Sequence, residues 1–202
     1  MSDFLALPGA AAIFAITITL SLLGMYRAPG VIEACLFRPY WLGRNNRYDT
    51  IVTSGLVHAD LPHLLFNMVT FWFFAFPMEQ LLGTASFLAL YVGGLVLSHA
   101  CTWVRQKDNP RYASLGASGA ISAVLFAYVV YYPATKLIIF PIPIPIPAAL
   151  FAVGYVAWSW WASRQEHGRI NHDAHLCGAF TGLAFVGFTD PAAFAALRDM
   201  LL

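Results

Sequence analysis

Apolar residues in this chain gather in long blocks instead of alternating with polar ones or recurring as a one-sided helical stripe. Taken with the polar breaks between them, these blocks predict six helical spans over residues 7–26, 61–82, 84–104, 116–132, 138–162 and 173–189. Each is near the ~20 apolar residues that cross a hydrocarbon core as helix. Residues 27–60 make a long first loop holding Tyr40, Trp41 and four arginines, a mixture suited to the membrane interface. The other connections are short, and no repeat, linker or low-complexity tract divides the chain, so residues 1–202 are read as one domain. The expected class is an all-α integral membrane protein: six transmembrane helices and a long interfacial first loop.

Pro141, Pro143, Pro145 and Pro147 alternate with isoleucines in the fifth span. Each lacks an N–H and clashes with the preceding helical turn, so regular helix is excluded here. The segment is expected to be extended and polyproline-like, with helix starting near Pro147, where a first-turn proline is tolerated. From there to Ala162 only about 24 Å of helix remains, short for a core near 30 Å. Trp158, Trp160 and Trp161 are expected to anchor its far end at the interface.

Composition agrees with the pattern. The chain is 59% hydrophobic and 10% charged, where a soluble domain is about one quarter charged. A net charge of +1 supplies no basic field for nucleic acid. Asp3 is the one early charged side chain, so the first span is read as retained and not as a cleaved signal. Cys35, Cys101 and Cys177 are scattered and odd in number, and are read as small packing residues.

Polar residues inside apolar spans need a partner or a purpose. His63 and Asn67 in the second span, Ser118 in the fourth and His175 in the sixth each fall in the first or second turn of their helix. Asp60 and Pro62 mark the start of the second span, Gly116 precedes Ser118, and Asn171 or Asp173 can cap the sixth. Even-numbered spans of an alternating bundle run the same way, so these turns should share one side and one depth. Neutral imidazole can take the proton of a serine near neutral pH. Unpaired N–H groups at the start of the fourth span would stabilise an oxyanion formed at Ser118. His63 and Asn67, four apart, share a helix face and can add donors. Asp173 points away from His175, which favours a Ser–His dyad over a triad. His99 and Glu79 are read as structural, and Ala174, Gly178 and Gly182 as a close-packing face.

Gly116-Ala117-Ser118-Gly119 resembles the G-x-S-G motif of rhomboid proteases. His58 to Asn67 resembles their H-x4-H-x3-N segment, and Ala174-His175-Leu176-Cys177-Gly178 their A-H-x-x-G. The resemblance implies an intramembrane serine endopeptidase without cofactor or metal. Ser118 and His175 would be the dyad; His63, Asn67 and the Ser118 N–H the oxyanion hole; His58, Gly116 and Gly119 its support. Implied partners are single-pass transmembrane substrates and the bilayer. The fifth helix and the following loop, Ser163 to Asn171, would be gate and cap. Two positions depart from the family pattern. Ser122 stands where many rhomboids stack an aromatic ring on the catalytic histidine, and Asp49-Thr50 stands at the spacing of a Trp-Arg pair in the first loop.

Two other readings are a catalytically silent rhomboid-like protein that binds membrane clients and a metal or haem protein ligated by His58, His63, His172 and His175. The expected location is a bacterial plasma (inner) membrane. Orientation is contested within the sequence. Loops preceding the even spans hold nine Lys and Arg against Lys136 and Arg198 on the other side, which places the serine side in the cytoplasm. Resemblance to bacterial rhomboids places it outside, and that orientation is adopted.

Overall fold

The computed structural model describes residues 6–139, 142–165 and 170–201, and helices dominate it. In chain order they are α1 (Pro8–Tyr26), α2 (Gly30–Cys35), α3 (Thr50–Thr53), α4 (Leu61–Leu82), α5 (Thr84–Gln106), α6 (Ser118–Tyr131), α7 (Ala148–Ala162), α8 (His172–Thr189) and α9 (Phe194–Leu201). Strands β1 (Lys136–Ile139) and β2 (Ile142–Pro147) lie between α6 and α7. The six apolar helices fall where the hydrophobic blocks place them. Helices α1, α4 and α5 are each long and apolar enough to cross a membrane, and α8 runs through a 113° bend into Pro191–Asp199.

Helix α6 is different. Its 14 residues span about 21 Å, less than a hydrocarbon core of about 30 Å, and nearly all of them are buried. A helix apolar on every side and buried on every side is a core helix, and a core helix this short ends inside the thickness of its neighbours. Its closest neighbour is α8. A Cβ at Gly178 would overlap the Gly119 carbonyl oxygen, and one at Gly182 the Ala123 carbonyl oxygen. Small residues on α8 therefore let two backbones touch, as expected for that face.

The proline run is extended, as expected, but it pairs. Leu137 faces Ile146 and Ile139 faces Ile142 in an antiparallel hairpin, with a register shift between Leu137 and Ile139. Alternating prolines remove N–H donors along one edge of β2 only, so the strand can still be paired along the other. Helix α7 starts at Ala148, directly after Pro147. It packs through Phe151, Ala152, Tyr155 and Val156 on a small cluster of Leu125, Phe126 and Ala179, which Phe74 and Leu183 link to the larger core built mainly from α1, α4, α5 and α6. Trp158 is 61% exposed and packs against Trp161, away from that cluster.

Two buried polar side chains, Glu79 and His99, are matched by partners. Glu79, 1% exposed, accepts from the backbone N–H groups of Gly9 (2.9 Å) and Ala10 (2.6 Å) and from the Thr84 hydroxyl (2.7 Å). It thus caps the start of α1, where free N–H groups and the helix dipole favour a carboxylate. His99 bonds to Ser54 Oγ (2.9 Å) and the Leu95 carbonyl (2.8 Å), the structural part expected of it. One expectation is corrected. Cys101 and Cys177 are not packing thiols but form a disulfide joining α5 to α8, and Cys35 alone is free. Their spacing of 76 residues carries no local motif, and only the folded bundle brings the two helices together.

Candidate active site

Three helix starts meet at one end of the bundle. Asp60 caps α4, its Oδ1 accepting the His63 N–H at 2.8 Å, with Pro62 in the first turn. Asn171 caps α8, accepting the Ala174 N–H at 3.1 Å. Helix α6 opens at Ser118 after Gly116, whose φ of +113° is a conformation that L side chains rarely adopt. The Gly116 N–H donates to the Ser54 carbonyl at 2.8 Å, which ties the turn to the folded first loop.

Side chains from α4 close over that turn. The His63 ring lies against Gly116, with Nε2 2.9 Å from where a Cβ would stand. The buried His58 ring meets His63 edge-on at 4.8 Å between centroids. Its Nε2 faces the Ala117 N–H at 3.5 Å and its Nδ1 lies 3.2 Å from Ser21 Oγ. An N–H aimed at Nε2 requires the tautomer protonated at Nδ1, which then donates to Ser21. Burial pushes the His58 imidazole down to about 3, the adjacent His63 adds to this, and hydrogen bonding to Asn67 as acceptor and the charge of Asp60 oppose it. Asn67, itself buried, donates to the His63 carbonyl at 2.9 Å and keeps a second N–H for another acceptor.

His175 is carried by the first turn of α8. The carbonyl of Ala174 lies 3.5 Å from the Cβ position of Gly119, so the residues flanking Ser118 and His175 are in contact. The start of α8 is fastened to α5 by the Cys101–Cys177 disulfide, by Asn171 Nδ2 donating to Thr102 Oγ1 (2.9 Å), and by Arg105 near Asp173 (3.5 Å). Arg105 also donates to the Ser163 carbonyl at 2.9 Å, and so holds both ends of the Ser163–Asn171 loop. Residues 166–169 of that cap lie outside the described residues. Asp173 pairs with Arg105 across the α5–α8 contact.

One residue of the site escaped the sequence reading. Tyr155 of α7 stacks on His175, centroids 6.2 Å apart and planes 25° apart, while its hydroxyl lies 2.8 Å from Ser122 Oγ. In the sequence Tyr155 is one aromatic among many; the signal was Ser122, a small polar residue where a ring was expected. The other departure is explained by Arg47, which pairs with both Asp49 oxygens at 3.0 Å and donates to the Ala34 carbonyl. This pairing organises the first loop without a Trp-Arg pair. Among the described residues, no three His, Cys, Asp or Glu side chains group to hold a metal, and the histidines of the metal reading meet as the ring pairs His58–His63 and His172–His175.

The family description "Rhomboid domain" matches residues 45–190. The chain is 32% identical over 180 residues to "Presenilin-associated rhomboid-like protein, mitochondrial" of Homo sapiens, covering 80% of this chain and 46% of that protein. It is 28% identical over 139 residues to "Rhomboid protein 1, mitochondrial" of Saccharomyces cerevisiae (67% and 40% covered). With "Putative rhomboid protease YdcA" of Bacillus subtilis it shares 36% identity over 84 residues (42% and 41% covered). The chain thus spans less than half the length of these curated relatives. Mitochondrial names recur among them, so they lend no support to the bacterial plasma membrane expected from the sequence. With a family match over most of its length and apolar helices that can span a membrane, the chain is an integral membrane protein of the rhomboid family.

Proposed function

We propose that this protein is an intramembrane serine endopeptidase in which Ser118 and His175 act as a dyad on transmembrane segments of single-pass proteins. The observation carrying this reading is the meeting of the starts of α4, α6 and α8: His63 rests on Gly116, two residues before Ser118, and Ala174 touches Gly119 just after it. His175 takes the proton of Ser118 as its Oγ attacks the scissile carbonyl, and returns it to the leaving amine. The tetrahedral oxyanion meets the Ser118 N–H at the positive end of α6, with His63 and Asn67 as further donors. His58 holds the Ala117 turn and needs no contact with substrate. Water then hydrolyses the acyl-enzyme. Helix α7 and the loop after it form the lateral gate and cap, and residues 1–202 work as one unit.

A client-binding, catalytically silent rhomboid would keep the bundle without a reactive serine. A fluorophosphonate probe separates the two readings. Covalent adduct on Ser118, located by peptide mass, is expected in the purified protein and absent in His175→Ala. No adduct at Ser118 under conditions where the protein is folded would favour the silent reading.

A further inference from the structure

Ser122 lies one helical turn beyond Ser118 on α6, so both look toward the same neighbours. Ser122 is 3% exposed, and its Cβ sits 3.2 Å from where a Cβ of Gly178 would stand, three residues after His175. What reaches this spot is Tyr155. Its ring is flanked by Phe126 (5.5 Å) and Phe151 (5.7 Å), its hydroxyl pairs with Ser122 Oγ, and its face lies near-parallel to His175. Phe126 and Ser122 belong to α6, Phe151 and Tyr155 to α7, and His175 to α8. One ring thus joins three helices beside the imidazole.

We infer that Tyr155 is the positioning residue for His175, and that α7 couples its own displacement to alignment of the base. The proposal rests on the dyad reading above. Two features make the coupling physical. Tyr155 sits on the helix that packs on the small Leu125–Phe126–Ala179 cluster, which meets the main core through Phe74 and Leu183. An outward shift of α7 breaks the Ser122 hydrogen bond and the His175 stack together, since one side chain makes both. The base is then held when α7 is seated and released when α7 swings away, so a substrate that props α7 open is cut only after the helix reseats.

The test uses the full chain in detergent and the rate at which a small fluorophosphonate modifies Ser118. This probe reaches the serine through water and needs no lateral opening. Tyr155→Leu is expected to slow modification on the order of ten- to hundredfold, the scale of losing about 1 Å of alignment. Tyr155→Phe keeps the ring and is expected within a fewfold of wild type. Phe151→Ala removes one flank of the Tyr155 ring and loosens α7, and is expected to slow modification severalfold, less than Tyr155→Leu. Ser122→Tyr combined with Tyr155→Leu moves the ring onto α6 and is expected to recover most of the lost rate. On a transmembrane substrate, the Tyr155→Leu loss should fall on kcat with KM unchanged. Modification of Tyr155→Leu at the wild-type rate would overturn the proposal. So would a Tyr155→Phe as slow as Tyr155→Leu at unchanged melting temperature. If Tyr155→Leu does not fold, Tyr155→Phe and the Ser122→Tyr swap decide, and a folded swap without recovery overturns it. Absence of any adduct in wild type would instead sink the dyad reading itself.

Discussion

His63 packs directly on Gly116: a Cβ at residue 116 would stand 2.8 Å from His63 Cε1 and 2.9 Å from Nε2. The same residue holds a φ of +113°. Two independent requirements, backbone conformation and close approach, thus select glycine at the turn that delivers Ser118. Gly116→Ala should cost about 1–3 kcal/mol of local strain and push His63 off the turn. The expected result is a folded protein with little cleavage activity and a lowered melting temperature. A variant with wild-type turnover would show that the His63–Gly116 contact does not shape the site.

His58 makes stability depend on acid. Its folded value, pushed down to about 3 mainly by burial, lies below the ordinary 6.5. The folded state therefore binds fewer protons than the unfolded one. Its stabilising contribution is complete above pH 6.5 and is lost as pH falls from 6.5 toward 3. At pH 5 the loss is about 2 kcal/mol. Thermal melts at pH 7.5 and pH 5.0 should differ more for wild type than for His58→Gln, which keeps polar atoms near Ser21 and Ala117 without titrating. Equal pH dependence in the two proteins would assign the acid sensitivity elsewhere.

Gate loosening should be selective along α7. Phe151 packs on the small cluster, whereas Trp158, two turns further along α7, is 61% exposed and stands outside that cluster. Phe151→Ala is therefore expected to raise cleavage of a transmembrane substrate severalfold where lateral opening limits the rate, and Trp158→Ala to change it little. Equal stimulation by both, or by neither, would point to substrate access away from α7.

Membrane orientation sets charge counting against family resemblance. The basic residues on the Ser118 side are largely engaged within the fold. Arg38 pairs with Glu33 (2.6 Å), Arg47 with Asp49 (3.0 Å) and Arg105 with Asp173 (3.5 Å), while Arg44 covers the Tyr40 ring and Arg164 the Trp160 ring. Arginines built into loop structure are weak topological signals. The dyad side is expected to face outward. Single cysteines at Asn109 and Ala196 in a Cys35→Ala background, where the native disulfide is inert to maleimide, should label at 109 only in intact cells. Labelling at 196 alone would vindicate the charge count.

Much of the fold is written in the length and order of the apolar blocks, because only a helix satisfies its own backbone in lipid. Caps were legible for the same local reason: Asp60, Pro62 and Asn171 act within one turn of themselves. Contacts between distant helices were not. The Cys101–Cys177 bond, the Thr102–Asn171 hydrogen bond and the Tyr155–His175 stack join residues tens of positions apart, and no spacing rule announces them. The pairing of the Ile-Pro run was missed because proline argues against strand in general, while alternate prolines spare one edge.

Cleavage of a transmembrane test substrate by wild type, Ser118→Ala, His175→Ala and Asn67→Ala tests the dyad most directly. Ser118→Ala should fold normally, since alanine fits the small-residue site, and cut nothing. His175→Ala should be equally inactive, because members of a catalytic unit do not lose activity additively. Asn67→Ala should retain turnover reduced by roughly 10²–10³-fold, the effect of one oxyanion donor. Cleavage by Ser118→Ala at the wild-type rate would contradict the assignment outright.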